Sequence, residues 1–259
     1  YDDFRRKIGK RTRLVAMGWA SNAFGTVNDV ARVRQWTKEV GAWLLVDAVH
    51  YAPHFLINVA AFDVDFLLCS AYKFYGPHVG ILYSRPGLLD QLEPDRLRTQ
   101  DQEAPYRIET GTLNHAAIAG VKAAVEYVAG HGQGSTLRKK LASAIGKIHE
   151  HEFELAREIF EGLASIRGVK VVGPTFADPL RAPTVSFTVE GLTPEQVCRK
   201  LAAKGIFAWD GHFYAVRAME VLGLQDKGGV TRVGILLYNT RDEVQQFLKE
   251  MRRIAERSS

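Results

Sequence analysis

The sequence predicts an α/β chain in which a mostly parallel sheet with its helices comes first and a smaller α+β domain follows. Three observations carry that expectation. Short apolar runs alternate with stretches of helical periodicity through residues 13–84, the pattern of strand–helix–strand units. The runs Ala42–Val46 and Val64–Cys69 are apolar at nearly consecutive positions, as in strands covered on both faces. From about Asn114 the texture changes to long helical patterns followed by short strands and two strongly capped helices. The expected domains are therefore residues 1–132 and residues 133–259.

Taken in order, Arg13–Met17 reads as a short strand and Ser21–Asn28 as a polar loop. Val30, Val33, Trp36 and Val40 recur at helical spacing, with Asn28 as the expected N-cap and Gly41 just past the end. Ala42–Val46 ends in Asp47, so strand, helix and strand form a right-handed parallel crossover. Val64–Cys69 and Val79–Tyr83 continue the sheet, the second after the Gly76-Pro77 turn. Asn114–Ala129 is an Ala-rich helix. Beyond the break at Gly130, Gly132 and Gly134, Leu141, Ile145, Ile148, Leu155, Ile159 and Leu163 mark one long amphipathic helix. Strands are expected at Val169–Val172, Thr184–Val189, Ile206–Trp209 and Thr231–Leu236. Thr193-Pro194-Glu195-Gln196 and Thr240-Arg241-Asp242-Glu243 are capping boxes, each opening a helix.

Composition bounds the function. With 259 residues, 46% hydrophobic and 24% charged, the chain can build one large core or two modest ones, which excludes global disorder. No apolar run approaches the roughly 18 residues of a membrane span. Cys69 and Cys198 lack CxxC spacing, so a reducing cytoplasm without a disulfide framework or cysteine zinc site is expected. Most of the net charge of +5 comes from the first thirteen residues, where Arg5, Arg6, Lys7, Lys10, Arg11 and Arg13 outweigh Asp2 and Asp3 by four. These belong to no nucleic-acid motif and are not interleaved with aromatics, so they read as a solvated arm. His50 and His54 share helical metal-pair spacing, but Pro53 opposes a helix there and no metal is expected. His149 and His151, among Glu150, Glu152 and Glu154, read as a solvated helix surface.

Parallel sheets gather ligands outside the carboxyl ends of their strands. Asp47 and His50 follow one such end, and Ser70 and Lys73 follow another, so neighbouring strands would face all four into one crevice. A buried carboxylate near a lysine suits pyridoxal phosphate. There the amine condenses with the aldehyde, the acid keeps the pyridine nitrogen protonated, and the ring stabilises a carbanion. To act, the lysine must lose its proton.

Val46-Asp47-Ala48-Val49-His50 and Ser70-Ala71-Tyr72-Lys73-Phe74-Tyr75-Gly76-Pro77 resemble the cofactor motifs of the class V aminotransferases, the group that includes cysteine desulfurases. Ser21–Thr26, Glu109–Asn114 and Arg232 through Thr240 agree with that family in order along the chain. The resemblance implies the PLP-dependent transferase-like fold (fold type I). It makes Lys73 the Schiff-base lysine, Asp47 the pyridinium partner, His50 and Asn22 neighbours of the phenolic oxygen, and Ser70 a phosphate ligand. Tyr72 stands where many desulfurases carry a phosphate-binding His. Thr112 matches a residue that reaches the phosphate of the partner subunit's cofactor, implying a homodimer with shared sites. Arg232 matches the arginine that holds the substrate carboxylate, a task suited to a planar guanidinium fork.

Two departures from the family stand out. In Gly211-His212-Phe213-Tyr214-Ala215, Tyr214 occupies the place of the desulfurase's nucleophilic Cys, and a phenol cannot carry a persulfide. Residues 1–12 also supply none of the Gly-Thr phosphate loop, ring-stacking aromatic and further sheet that precede the first strand in the family. The sequence thus implies a PLP-dependent enzyme acting on an amino acid through Lys73, with no nucleic-acid or membrane partner. The alternative is a truncated, cofactor-free piece acting at most as a dimerisation or interaction module.

Overall fold

In the computed structural model, which describes residues 1–178 and 180–256, the chain forms two compact units. Residues 1–19 and 28–145 form the first; residues 20–27 and the chain from Gly146 onward form the second. Pro179 and residues 257–259, within the expected second domain, lie outside the described residues.

The first unit opens with α1 (Asp2–Lys7), where the sequence suggests only a solvated arm. Lys7 pairs with Asp3 at 2.8 Å, Arg5 with Glu39 at 2.6 Å, and Arg32 lies over the Tyr1 ring. Then come β1 (Leu14–Gly18), α2 (Val30–Val40), β2 (Trp43–Asp47), α3 (Val59–Phe62), β3 (Phe66–Ser70) and β4 (Gly80–Ser84). Their sheet order is β1-β2-β3-β4, with the first three parallel and β4 antiparallel to β3. Asp29, not Asn28, caps α2 by accepting from the Arg32 N–H, while Asn28 Nδ2 donates to the Gly18 carbonyl at 2.8 Å. Gly41 ends α2 at φ 68°, a left-handed conformation that glycine adopts without steric cost. Only alternate residues of β2, Leu44 and Val46, are fully buried, so the expected cover on both faces is partial. Helix α4 (His115–Gly130), capped by Asn114, leads to α5 (Leu137–Ala164), along which the chain passes into the second unit.

An ion cluster pins the amino end of β3. Buried Asp65, one residue before the strand, pairs with Arg34 of α2 at 2.7 Å and Arg85 beyond β4 at 3.0 Å. It also accepts the Leu44 N–H of β2 at 2.8 Å. Asp63 joins Arg34, Lys38 and Arg85, and its hydrogen bond from Lys38 leads the effects that hold its carboxyl below the usual range.

The second unit contains β5 (Val169–Val172), β6 (Thr184–Val189), α6 (Pro194–Ala202), β7 (Trp209–Gly211), α7 (Val216–Val221), β8 (Val230–Gly234) and α8 (Arg241–Glu256). The sheet is antiparallel, in the order β5-β6-β8-β7. In its core Ile159 and Leu163 of α5 meet Phe187 of β6, Leu201 of α6, and Phe247 and Met251 of α8. Both capping boxes form: Thr193 with Gln196, and Thr240 with Glu243. The strand expected at Ile206–Trp209 lies at Trp209–Gly211, because the Ile206 N–H is spent on the Leu201 carbonyl at the end of α6.

Glu152 departs from the solvated surface expected of this stretch of α5. It is fully buried rather than solvated, since it falls on the α5 stripe of Ile148, Leu155, Ala156 and Ile159. Burial raises its pKa from 4.5 to about 9.

Asp65→Asn should lower stability by about 3 kcal/mol, as expected for removing one partner from a buried ion pair, measured by urea unfolding. Glu152 ionises in the unfolded chain near pH 4.5 but in the folded chain only near 9. The stability tied to its neutral form is therefore complete below the lower value and lost as pH rises towards the upper one. Glu152→Gln should remove that slope, which is at most about 1.4 kcal/mol per pH unit, in melts recorded from pH 5 to 8.

Candidate active site

In the first unit the parallel register places Asp47 opposite Leu68, so β3 runs two residues further before Ser70 and the turn that carries Lys73. The Ala48 N–H donates to the Leu68 carbonyl at 2.8 Å, locking the two strand ends together. Asp47 is exposed, not buried as the sequence suggests, because it closes the strand and its Oδ1 accepts the Val49 N–H at 2.9 Å. The chain then winds through turns, and Tyr51 is stacked between Trp19 at 4.0 Å and Phe55 at 4.6 Å. That stack anchors the segment bearing half-buried His50, whose ring lies 5.3 Å from that of His54.

Lys73 stands on a 3₁₀ turn, Ala71–Phe74, that ends in the left-handed Tyr75. The Gly76 N–H donates to Ala71 and the Ala71 N–H to Val79, closing the turn into a small loop. Gly76 passes so near Ala71 that a Cβ there would come within 3.0 Å of the Ala71 Cβ and carbonyl oxygen. The lysine Nζ lies 5.2 Å from the Tyr72 ring centre, and Tyr72 stacks on His78. Burial, with the Asp47 charge adding, pushes the Cys69 thiol up to about 11. Burial leads the effects that raise Cys198 to about 11, and both cysteines are free. Neither is suited to nucleophilic work near neutral pH. Thr112 is exposed in the loop before α4.

Asn22 and Arg232, 210 residues apart, meet in the second unit. Arg232 Nη1 donates to the Asn22 carbonyl at 2.8 Å, while Asn22 Nδ2 donates to the Phe213 carbonyl at 3.1 Å. The Phe213 ring covers the guanidinium, with Cζ 3.9 Å from its centre. Burial lowers the Arg232 pKa, and no carboxylate pairs with this cation among the described residues. Phe213 and Tyr214 both take left-handed backbones, at φ 52° and 63°, a conformation costing roughly 1–2 kcal/mol per non-glycine residue. The Tyr214 side chain is 95% exposed.

Two supports are not legible in the sequence. Segment 20–27 is held on the second unit by Ser186 Oγ, which donates to Ala23, and by the Ala182 N–H, which donates to Gly25. Buried Arg181 stays close by, donating to the Pro174, Ala182 and Thr184 carbonyls. Phe213 is visible as part of the Gly211–Ala215 stretch, but no sequence pattern signals a ring over an arginine. Among the described residues no cluster of three or more His, Cys, Asp or Glu could hold a metal ion, and no helix is long and apolar enough to cross a membrane.

The family description that matches this chain is aminotransferase class-V, over residues 1–247. Aminotransferase-like protein FGM3 of Gibberella zeae is 36% identical over 254 residues, covering 95% of this chain and 60% of that protein. A probable cysteine desulfurase of Halalkalibacterium halodurans is 30% identical, with 98% and 61% covered. Among solved structures, the apo cysteine desulfurase of Thermococcus onnurineus NA1 superposes with a TM-score of 0.85 at 30% identity, covering 98% of this chain and 62% of that one. The cysteine desulfurase CsdA of Escherichia coli gives a TM-score of 0.85 at 26% identity, with the same coverage. The chain thus spans about three-fifths of the length of these relatives, and its fold is that of the corresponding part of a PLP-dependent transferase. The chain belongs to the class-V aminotransferase family, whose members are pyridoxal-phosphate-dependent enzymes.

Proposed function

We propose that this protein is a pyridoxal-phosphate-dependent enzyme acting on an amino acid, related to cysteine desulfurases but without their persulfide step at the Tyr214 position. The observation that carries the reading is the placement of Asp47 at the carboxyl end of one parallel strand and of Lys73 on the turn that follows the next. The donor set fits the cofactor: an amine for the aldehyde, a carboxylate for the ring nitrogen, and a hydroxyl and a phenol for the phosphate. Lys73 and Asp47 fill the first two roles, with Ser70 and Tyr72 at the phosphate and His50 at the phenolic oxygen, a role the family resemblance also gives Asn22. When bound, the cofactor supplies an electron sink for the bond broken at the substrate's α-carbon.

The protein's own groups do the rest. Asp47, as a carboxylate, holds a proton on the ring nitrogen. Lys73 carries the proton that leaves or returns at the α-carbon. Arg232 holds the substrate carboxylate through its planar fork. Thr112 serves a partner protomer's phosphate in a homodimer, a reading supported by the exposed apolar side chains around it, Ile108, Leu113 and Ile118. The free thiols Cys69 and Cys198 suit a reducing cytoplasm. Transamination, elimination and epimerisation all use this set of groups, whereas a phenol at Tyr214 cannot accept sulfur.

Reconstitution with pyridoxal phosphate should give a visible absorbance band that Lys73→Ala abolishes. A wild-type protein without that band would refute the reading. Arg232→Ala should keep the band yet weaken amino-acid binding by at least tenfold, followed by titrating the absorbance change.

A further inference from the structure

The Arg232 side chain is a half-buried cation with no carboxylate partner among the described residues, which is the state of a group that awaits an anion. Its guanidinium has five N–H donors, yet among the described residues only Nη1 is engaged, by the Asn22 carbonyl. One face is taken by the Phe213 ring at 3.9 Å. Nε and Nη2 make no hydrogen bond among the described residues, so part of the fork remains available. A carboxylate binds a guanidinium in its plane, through the edge, and a ring stacked on the face leaves that approach open.

The Phe213 ring is itself held. Asn22 Nδ2 donates to the Phe213 carbonyl, Tyr214 N–H donates to His212 Nδ1 at 3.0 Å, and Ala215 N–H donates to the His212 carbonyl at 2.8 Å. These bonds maintain the left-handed backbone at two consecutive non-glycine residues, a conformation that persists only where its surroundings determine it. Asn22 therefore acts twice, accepting from Arg232 and donating to the loop that carries the ring.

We propose that Phe213 is a positioning residue for Arg232, clamping the guanidinium between ring and Asn22 carbonyl so that its edge selects ligands bearing a carboxylate. The inference rests on the reading of Arg232 as the substrate's carboxylate anchor, and its test separates the two.

Phenylglyoxal labelling of the full protein, with peptide mass analysis, reads the clamp without any cofactor. Propionate should slow labelling of Arg232 severalfold, whereas propionamide, its uncharged counterpart, should not. Phe213→Ala should raise the basal labelling rate about fivefold and abolish the propionate effect. Phe213→Tyr should retain both wild-type behaviours, and the exposed Arg199 should label equally in all three. In the cofactor-loaded protein, Phe213→Ala should raise the Kd for L-alanine about tenfold and change that for ethylamine less than twofold. Unaltered labelling in Phe213→Ala, or equal weakening of L-alanine and ethylamine, would overturn the proposal. A wild-type protein that forms no visible band but shows carboxylate protection lost in Phe213→Ala would refute the cofactor reading and leave the clamp standing.

Discussion

The ion cluster around Asp65 is the constraint on which the first unit depends. A buried carboxylate cannot remain charged without partners, and Asp65 satisfies itself on α2, on β2 and on the residue after β4. Three elements are thereby fixed at the amino end of β3. Because the strands are parallel, fixing their register there also fixes it at the other end, where Asp47, Ser70 and Lys73 stand. The groups proposed for the cofactor lie at the strand ends remote from the charges that hold the strands, and Asp47 there is exposed while Asp65 is buried.

Rigidity around Lys73 comes from a different source. Its turn is closed by backbone hydrogen bonds and by the passage of Gly76 against Ala71, which leaves no room for a side chain. In the second unit Arg232 is instead held by the Asn22 carbonyl and by the Phe213 ring, which stands on a left-handed backbone. The Lys73 turn is set by close backbone packing, whereas Arg232 is set by one hydrogen bond and one stacked ring.

Much of this is legible in the sequence. The order of apolar runs, both capping boxes and the Asp47 and Lys73 motifs are local signals, and local signals survive folding. What the sequence obscures is non-local. Asn28 looks like a cap because capping is judged from one short window, whereas Asp29 has the side chain that reaches the Arg32 N–H. Glu152 looks solvated because its neighbours Glu150 and Glu154 are acidic and exposed, yet its place on the helix turns it into the core. The strand at Trp209 starts late because Ile206 is already committed to ending a helix. The meeting of Asn22, Phe213 and Arg232 spans most of the chain, and no spacing rule reports it.

The allocation of residues 20–27 to the second unit has a consequence for how the chain is made. Their partners Ser186, Phe213 and Arg232 are synthesised some 160–210 residues later. At ribosomal speeds of about 5–20 residues per second, the early segment waits on the order of ten seconds or more before anything exists to receive it. The second unit therefore cannot be completed as an independent late event, because a piece of it emerges before most of the first sheet is translated. Closing so long a loop costs entropy that no local contact returns. The order of synthesis and the order of assembly are opposed at this point, and the nascent chain is left with an unsatisfied segment to protect.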